Sequence, residues 1–337
     1  MPATAPPLSP VTVETLSAWA LDPASRGAIS ALCETRYLLV EAKSPSSDRD
    51  LRAVADWLRR LPAPSIAIGD AGSPLAVLCD AVVTGAEDAQ PLIETIERHP
   101  LAATVLVQLL RASEGLPLES ALFAESLAYS TLQAGPEYRA WLRAHRADAP
   151  AIHSDSGPAV VMEREGARLD LALNRASNRN GMTVEMRDAL VEALQLVLAD
   201  DSIGAVSLRG LGKCFSTGGD LSEFGSAPDP ATAHLVRSLA LPGRLLAQCA
   251  ARVNVRVHGA CVGSGIEFPA FAGRIVATRD AWFQLPELKF GLIPGAGGTV
   301  SIARRIGRQR LAGWVLSGRR IDAMTALAWG LVDAIDD

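Results

Sequence analysis

Lysine is nearly missing from this chain: it stands only at positions 43, 213 and 289, among 32 lysines and arginines in all. We read that bias as a property of the coding sequence and draw no function from it. Cysteine is sparse and scattered, at 33, 79, 214, 249 and 261, with no C-x-x-C pair. An odd count in a long chain argues for reduced thiols. The five histidines (99, 145, 153, 234 and 258) show neither H-x-x-x-H nor H-x-H spacing, so no metal site is expected. Excess positive charge is lacking too, and a net charge of −5 speaks against a nucleic-acid partner. The longest stretch without charge, Phe290 to Ala303, is 14 residues and contains Pro294 and four glycines. It is too short and too broken to span a bilayer, so no membrane role is expected. The opening residues, MPATAPPLSP, show no basic start followed by an apolar segment, which makes a cytoplasmic location the expectation.

What is present is an ordinary globular balance. The chain has 337 residues, 49% apolar and 20% charged, enough for a sizeable core and about two domains. Residues 1–10 are rich in Pro, Ala and Ser and are expected to fray. The polar segment 147–158, ADAPAIHSDSGP, reads as a linker between 11–146 and 159–337.

The second part alternates strand and helix signals, the pattern of a parallel sheet with crossover helices. Strands are predicted over 160–162, 169–173, 203–208, 253–257 and 275–278, and an extended run over 283–288. A helix over 183–199 follows from Met186, Leu190, Leu194 and Val197 at helical spacing, and a second helical stretch covers 231–250. Three glycine turns punctuate the alternation: 216–220, 259–265 and 293–299. In the first part, strands are predicted near 37–40, 65–68 and 81–83, a helical stripe at Leu51, Val54, Leu58 and Leu61, and helices over 91–98, 101–111, 118–132 and 136–145.

Familiar readings of glycine clusters fail. A P-loop needs glycine where Ser207 stands, and Cys214 replaces its Ser/Thr. A nucleophile elbow needs glycine at Val262. No G-x-G-x-x-G occurs in the second or third turn. What remains is two turns that each follow a strand and expose backbone N–H groups, an arrangement that favours an anion. Converging, they would form an oxyanion hole suited to a thioester enolate. Glu267 follows the second turn, and Glu287 follows Pro286, whose fixed φ aims it. Singly, Glu267 also fits a first-turn helix acid and Glu287 a solvated loop charge.

Five ordered segments resemble the crotonase (enoyl-CoA hydratase/isomerase) family. They are Leu173-Asn174-Arg175, Lys213 to Leu221, His258 to Glu267, Leu285 to Thr299, and Leu316 to Ala323 continuing to Gly330-Leu331-Val332. The resemblance covers about 160–337. It implies an α/β fold, a crotonase-like spiral of ββα units in the C-terminal half. It implies an oxyanion hole from the N–H groups of Gly219 and Ser264, where the family usually has glycine in place of the serine. Glu267 would be the base toward a water and Glu287 the proton donor to C2 of a 2-enoyl-CoA. The coenzyme A thioester would lie along Ala176–Asn180, including Asn178, with Arg179 near its phosphates, and against Ser216, Gly218, Asp220, Leu221, Cys261, Gly263 and Pro286. No cofactor is implied beyond the coenzyme A of the substrate, and the assembly implied is a homotrimer or hexamer. Isomerisation, thioester hydrolysis and cofactor-free dioxygenation are alternatives within the fold, and a non-catalytic assembly role is one outside it. Trp282, Phe283, Phe268 and Phe271 are read as core rather than pocket.

The family pattern continues past Val332-Asp333 into covering helices, which this chain lacks there. The segment from Asp80 through the helices of 87–145 resembles that missing part. Leu58 to Asp88 further resembles a shortened copy of Leu245 to Asp280, without acids equivalent to Glu267 and Glu287. An eroded internal repeat that lends helices to the second copy is therefore expected, the alternative being an unrelated, mostly helical N-terminal domain.

Overall fold

A computed structural model describes residues 9–22, 24–43, 48–145 and 155–336. Most of the expected frayed start (1–8) and most of the linker (147–154) lie outside the described residues. By its internal packing the chain forms two compact units. One takes residues up to 114 together with 307–318, the other 115–306 together with 319–337.

The first unit holds a parallel sheet of β1 (Leu38–Ala42), β2 (Ser65–Gly69) and β3 (Ala81–Val83), in that order. Helix Asp48–Arg59 connects β1 to β2, and the short helix Pro74–Leu78 connects β2 to β3. Ser73 caps the latter by accepting from the Leu75 N–H, with proline at the first helical position, where no donor is needed. Val54, Trp57, Leu58 and Leu61 bury against Val13, Leu16, Leu38 and Val40 in one apolar cluster. Helices Ala86–Arg98 and Pro100–Ser113 follow, and Arg308–Ser317 packs on both and on β3.

The polar centre of this unit is Asp80. Its carboxylate accepts from Ser65 N (2.8 Å), Ser65 Oγ (2.8 Å), Arg111 Nε (2.8 Å) and Arg111 Nη2. Arg111 also donates to the carbonyls of Leu61 (2.6 Å) and Ala63 (2.9 Å). Both side chains are buried.

The second unit is built from two sheets. The larger has the order β12-β9-β7-β6-β5-β4, with β4 (Val160–Glu165), β5 (Arg168–Leu173), β6 (Ala205–Gly210), β7 (Val253–Val257), β9 (Arg274–Thr278) and β12 (Ala334–Asp336). Apart from the antiparallel β4–β5 hairpin all its pairs are parallel. The smaller sheet joins β8 (Ala260–Val262), β10 (Trp282–Gln284) and β11 (Ile321–Asp322). The chain thus winds from one sheet to the other and back, β7 to β8 to β9 to β10. Helix Val184–Ala199 starts at its Thr183 cap and buries Met186, Leu190, Ala193, Leu194 and Val197, the predicted stripe.

Two expectations need correction. The helical stretch 231–250 is two helices, Pro230–Leu239 and Pro242–Gln248, because Pro242 cannot donate to a continuing helix. The extended run 283–288 stops at Gln284, and Glu287–Phe290 is a 3₁₀ turn after Pro286, which lacks the N–H a ladder requires.

Helices Leu118–Gln133 and Pro136–Ala144 belong to this unit, packed on Pro230–Leu239, Gly298–Ile306 and the 287–290 turn. In the first unit, the parallel order β1-β2-β3, with a short helix before the last strand, is the order of β6-β7-β9 in the second. Removing Arg111 would leave the buried Asp80 charge with the Ser65 donors and the more distant Arg308 guanidinium at 3.8 Å. Arg111→Met is therefore expected to cost about 3–5 kcal/mol in urea unfolding, against under about 1 kcal/mol for a surface pair such as Arg60–Asp56.

Candidate active site

Two glycine turns meet at one wall of a cavity of about 640 Å³ in the second unit. The first, after β6, carries Thr217, Gly218, Gly219 and Asp220; the second, after β8, carries Gly263 and Ser264. A Cβ on Gly218 would lie 2.5 Å from the Val262 carbonyl oxygen, so only glycine lets the turns touch. Gly218 (φ +86°) and Gly263 (φ +51°) are also left-handed. Ser216 shapes the first turn, donating to Asn180 O (2.7 Å) and accepting from Gly218 N (3.1 Å). Among the described residues, neither the Gly219 nor the Ser264 N–H donates to a protein acceptor. The Ser264 hydroxyl is buried without a partner.

Glu267 closes the short helix Ser264–Glu267, and Glu287 opens the 3₁₀ turn after Pro286. Both side chains line the cavity, with 2% and 9% of their residue surface exposed. The reading of Glu287 as a solvated loop charge therefore fails. The Oε1 atoms of Glu287 and Glu267 both face Gly263, at 2.6 and 4.0 Å from where its Cβ would stand. Glu287 Oε2 has no hydrogen-bond partner. Glu267 Oε2 accepts from the N–H groups of Ala296 (2.7 Å) and Gly298 (3.0 Å).

A third buried acid joins them. Glu125, on helix Leu118–Gln133, is 1% exposed. Its Oε1 accepts from Gly297 N (2.7 Å), and its Oε2 from Thr299 N (2.9 Å) and Thr299 Oγ1 (2.6 Å). Sequence reasoning missed Glu125, although a signal existed: it is a charge inside the helical stripe Leu122, Glu125, Tyr129, Leu132. Tyr129 and Arg237, also missed, line the cavity, the guanidinium standing 4.6 Å over the tyrosine ring.

Burial dominates the electrostatics. Loss of water pushes Glu287 up to about 8, and the Glu125 charge adds to the rise. Burial lifts Glu125 to about 7 against its donors from Thr299 and Gly297. Glu267 is raised well above the usual carboxylate range, first by burial and then by Glu287 and Glu125.

The other expected residues divide into two groups. Gly218, Gly219, Asp220, Leu221, Gly263, Ser264 and Pro286 line the cavity. Ala176, Asn178, Ser216 and Cys261 do not. Asn178 donates to Asp220 Oδ2 (2.7 Å), Ala176 is exposed beside Gly212, and Ser216 and Cys261 are fully buried behind the wall. Arg179 is exposed at a left-handed turn (φ +51°), locked by the Asn180 amide to the carbonyls of Leu211 (2.8 Å) and Cys214 (3.1 Å). Phe268, Phe271 and Phe283 are core, and Trp282 stacks under Arg320 at 4.0 Å.

Three acids with raised proton affinity predict how stability depends on pH. Unfolded, each titrates near 4.3. The folded chain holds their protons longer, so the stability they contribute is full below about pH 4 and is lost as pH rises through about 7 to 8. Between pH 5 and 8 the unfolding free energy should fall by up to about 1.4 kcal/mol per pH unit for each such acid. Urea midpoints across this range should fall less steeply for Glu287→Gln than for the wild type. Equal slopes would refute the assignment.

Known proteins place this geometry. A model of the enoyl-CoA hydratase/isomerase family matches residues 163–337. The chain is 33% identical over 176 residues to the 2,3-dehydroadipyl-CoA hydratase of Escherichia coli, covering 52% of this chain and 68% of that protein. It is equally 33% identical over 183 residues to the 1,2-epoxyphenylacetyl-CoA isomerase of the same organism, covering 53% and 70%. A solved structure from Mycobacterium abscessus, assigned to the same family, matches at a TM-score of 0.50 and 31% identity, over 53% of this chain and 71% of that one. Over the matched half, the two sheets, the paired glycine turns and both cavity glutamates fall within the family match, and the chain belongs to the enoyl-CoA hydratase/isomerase (crotonase) family.

Proposed function

We propose that this chain hydrates the 2,3 double bond of a 2-enoyl-CoA. The observation that carries the reading is the meeting of Glu267 and Glu287 at one cavity wall, both with raised proton affinity, beside two turns with unused N–H groups. The thioester oxygen would take the N–H groups of Gly219 and Ser264. These donors stabilise the negative charge that builds on that oxygen as C3 is attacked. A water held between the carboxyls gives a proton to Glu267 as its oxygen bonds to C3. Glu287 then delivers a proton to C2. The same reading has Glu267 ionised and Glu287 protonated in the working state. Two carboxyls this close share protons rather than both ionise.

Ser264 favours a second reading. Its buried hydroxyl has no protein partner and stands where the family pattern has glycine, and one of the two equally similar relatives is named an isomerase. The same donors and acids suit another reaction through a thioester enolate.

The test is loss of enoyl-thioester absorbance with crotonyl-CoA and a longer 2-enoyl-CoA. Glu267→Gln and Glu287→Gln are each expected to lower turnover by roughly 10²- to 10⁴-fold. A wild type that binds these thioesters without hydrating them would replace the first reading with the second.

A further inference from the structure

Glu125 lies outside the residues that the family model matches, and the proposed reaction does not use it. It comes from a helix that precedes the matched half, yet it is bonded to the turn that holds Glu267. Consecutive N–H groups of that turn alternate between two acids: Ala296 and Gly298 donate to Glu267, Gly297 and Thr299 to Glu125. The glycines let this happen. A Cβ on Gly298 would lie 2.5 Å from Glu267 Cγ, and one on Gly295 2.2 Å from the Tyr129 ring.

We propose that Glu125 is a positioning residue for the two cavity acids: it clamps the 297–299 turn so that Glu267 keeps one oxygen tied and one facing the cavity, and its charge sets the pH range in which the pair works. The kinetic part of this inference rests on the hydratase reading above.

The surroundings make the charge matter. Glu125 acts on Glu267 and Glu287 of the cavity wall. Arg237 faces Glu125 from helix Pro230–Leu239, and Tyr129, one turn on in the helix of Glu125, interacts with Arg237, Tyr138, Glu267 and Glu287. The arginines of helix Gly298–Ile306 sit at its last turn, away from Thr299. Arg237 acts on Glu125 through space. Its own N–H groups go to Ser126 Oγ (3.1 Å), Ser126 O (3.3 Å), Gln133 Oε1 (3.3 Å) and Ser130 Oγ. His234 likewise bonds Ser126 Oγ (2.9 Å). Among the described residues no cation neutralises Glu125 by contact, so its ionisation is felt by the neighbouring acids.

Glu125→Gln removes that charge. The proton donor of the pair then releases its proton more easily, and the basic limb of kcat/KM should move down by about one pH unit. Loss of the clamp should lower kcat by roughly 10- to 100-fold with KM for crotonyl-CoA changed less than about twofold. The fall of the urea midpoint between pH 5 and 8 should also be shallower than in the wild type, a readout that needs no turnover. A folded Glu125→Gln protein with the wild-type basic limb, kcat and stability slope overturns the proposal. If that variant does not fold, Thr299→Val decides. It keeps the backbone donors and removes the hydroxyl donor that favours ionised Glu125, so Glu125 holds its proton to higher pH: the basic limb should move down by a smaller amount, while the stability slope should steepen. No movement in Thr299→Val overturns the proposal. A wild type that hydrates nothing, while Glu125→Gln still flattens the stability slope or Thr299→Val steepens it, removes the hydratase reading and leaves Glu125 its role in the proton balance.

Discussion

Four backbone N–H groups at the start of one helix must be satisfied in the interior of the second unit, and two buried carboxylates do it. Glu267 takes those of Ala296 and Gly298, and Glu125 those of Gly297 and Thr299. An unbonded donor at that depth is costly, and so is an unbonded carboxylate. Each therefore needs the other. Much follows from this one constraint. The turn must be glycine-rich, because side chains there would occupy the space of Glu267 and Tyr129. Helix Leu118–Gln133 must lie against it, because it brings Glu125. Glu267 is then held by one oxygen, which leaves the other toward the cavity and Glu287.

The same chemistry gives opposite results elsewhere on the chain. Asp200, exposed and bonded by Ser202 and Arg164, is pushed down to about 2. Glu287, in the cavity wall with one oxygen unbonded, is pushed up to about 8. Donors favour the ionised form, and the absence of water opposes it. The cavity acids have fewer donors than their burial requires, and that shortage leaves them able to exchange protons near neutral pH.

In the first unit the parallel order of β1-β2-β3 matches that of β6-β7-β9, and the segment 58–88 resembles 245–280 in sequence. Its buried acid is in a different condition. Asp80 is saturated by Ser65 and by the guanidinium of Arg111, which also ties down two carbonyls. An acid bonded in that way ties its surroundings together. Similar strand order can thus carry a structural ion pair in one unit and a pair of buried cavity acids in the other.

Local sequence determined much by itself. Hydrophobic spacing and apolar runs placed most strands and most of the longer helices within a few residues, because those patterns report which face is buried, while the short β8, β11 and β12 went unread. Ordered glycine turns with Glu267 and Glu287 identified the family, because a backbone close to an anion tolerates few residue types. Proline effects were read less well: Pro242 split a predicted helix, and Pro286 ended a predicted strand. Tertiary structure alone decided three further matters. It put Ser216 and Cys261 behind the cavity wall, while Gly218 and Gly263 form it. It gathered helix Leu118–Gln133 into the unit that holds the cavity. It brought Glu125 to a turn 172 residues later in the chain. Periodicity marks that a residue is buried but not what it is buried against, and a charge on an apolar stripe acquires its partner only when distant segments pack.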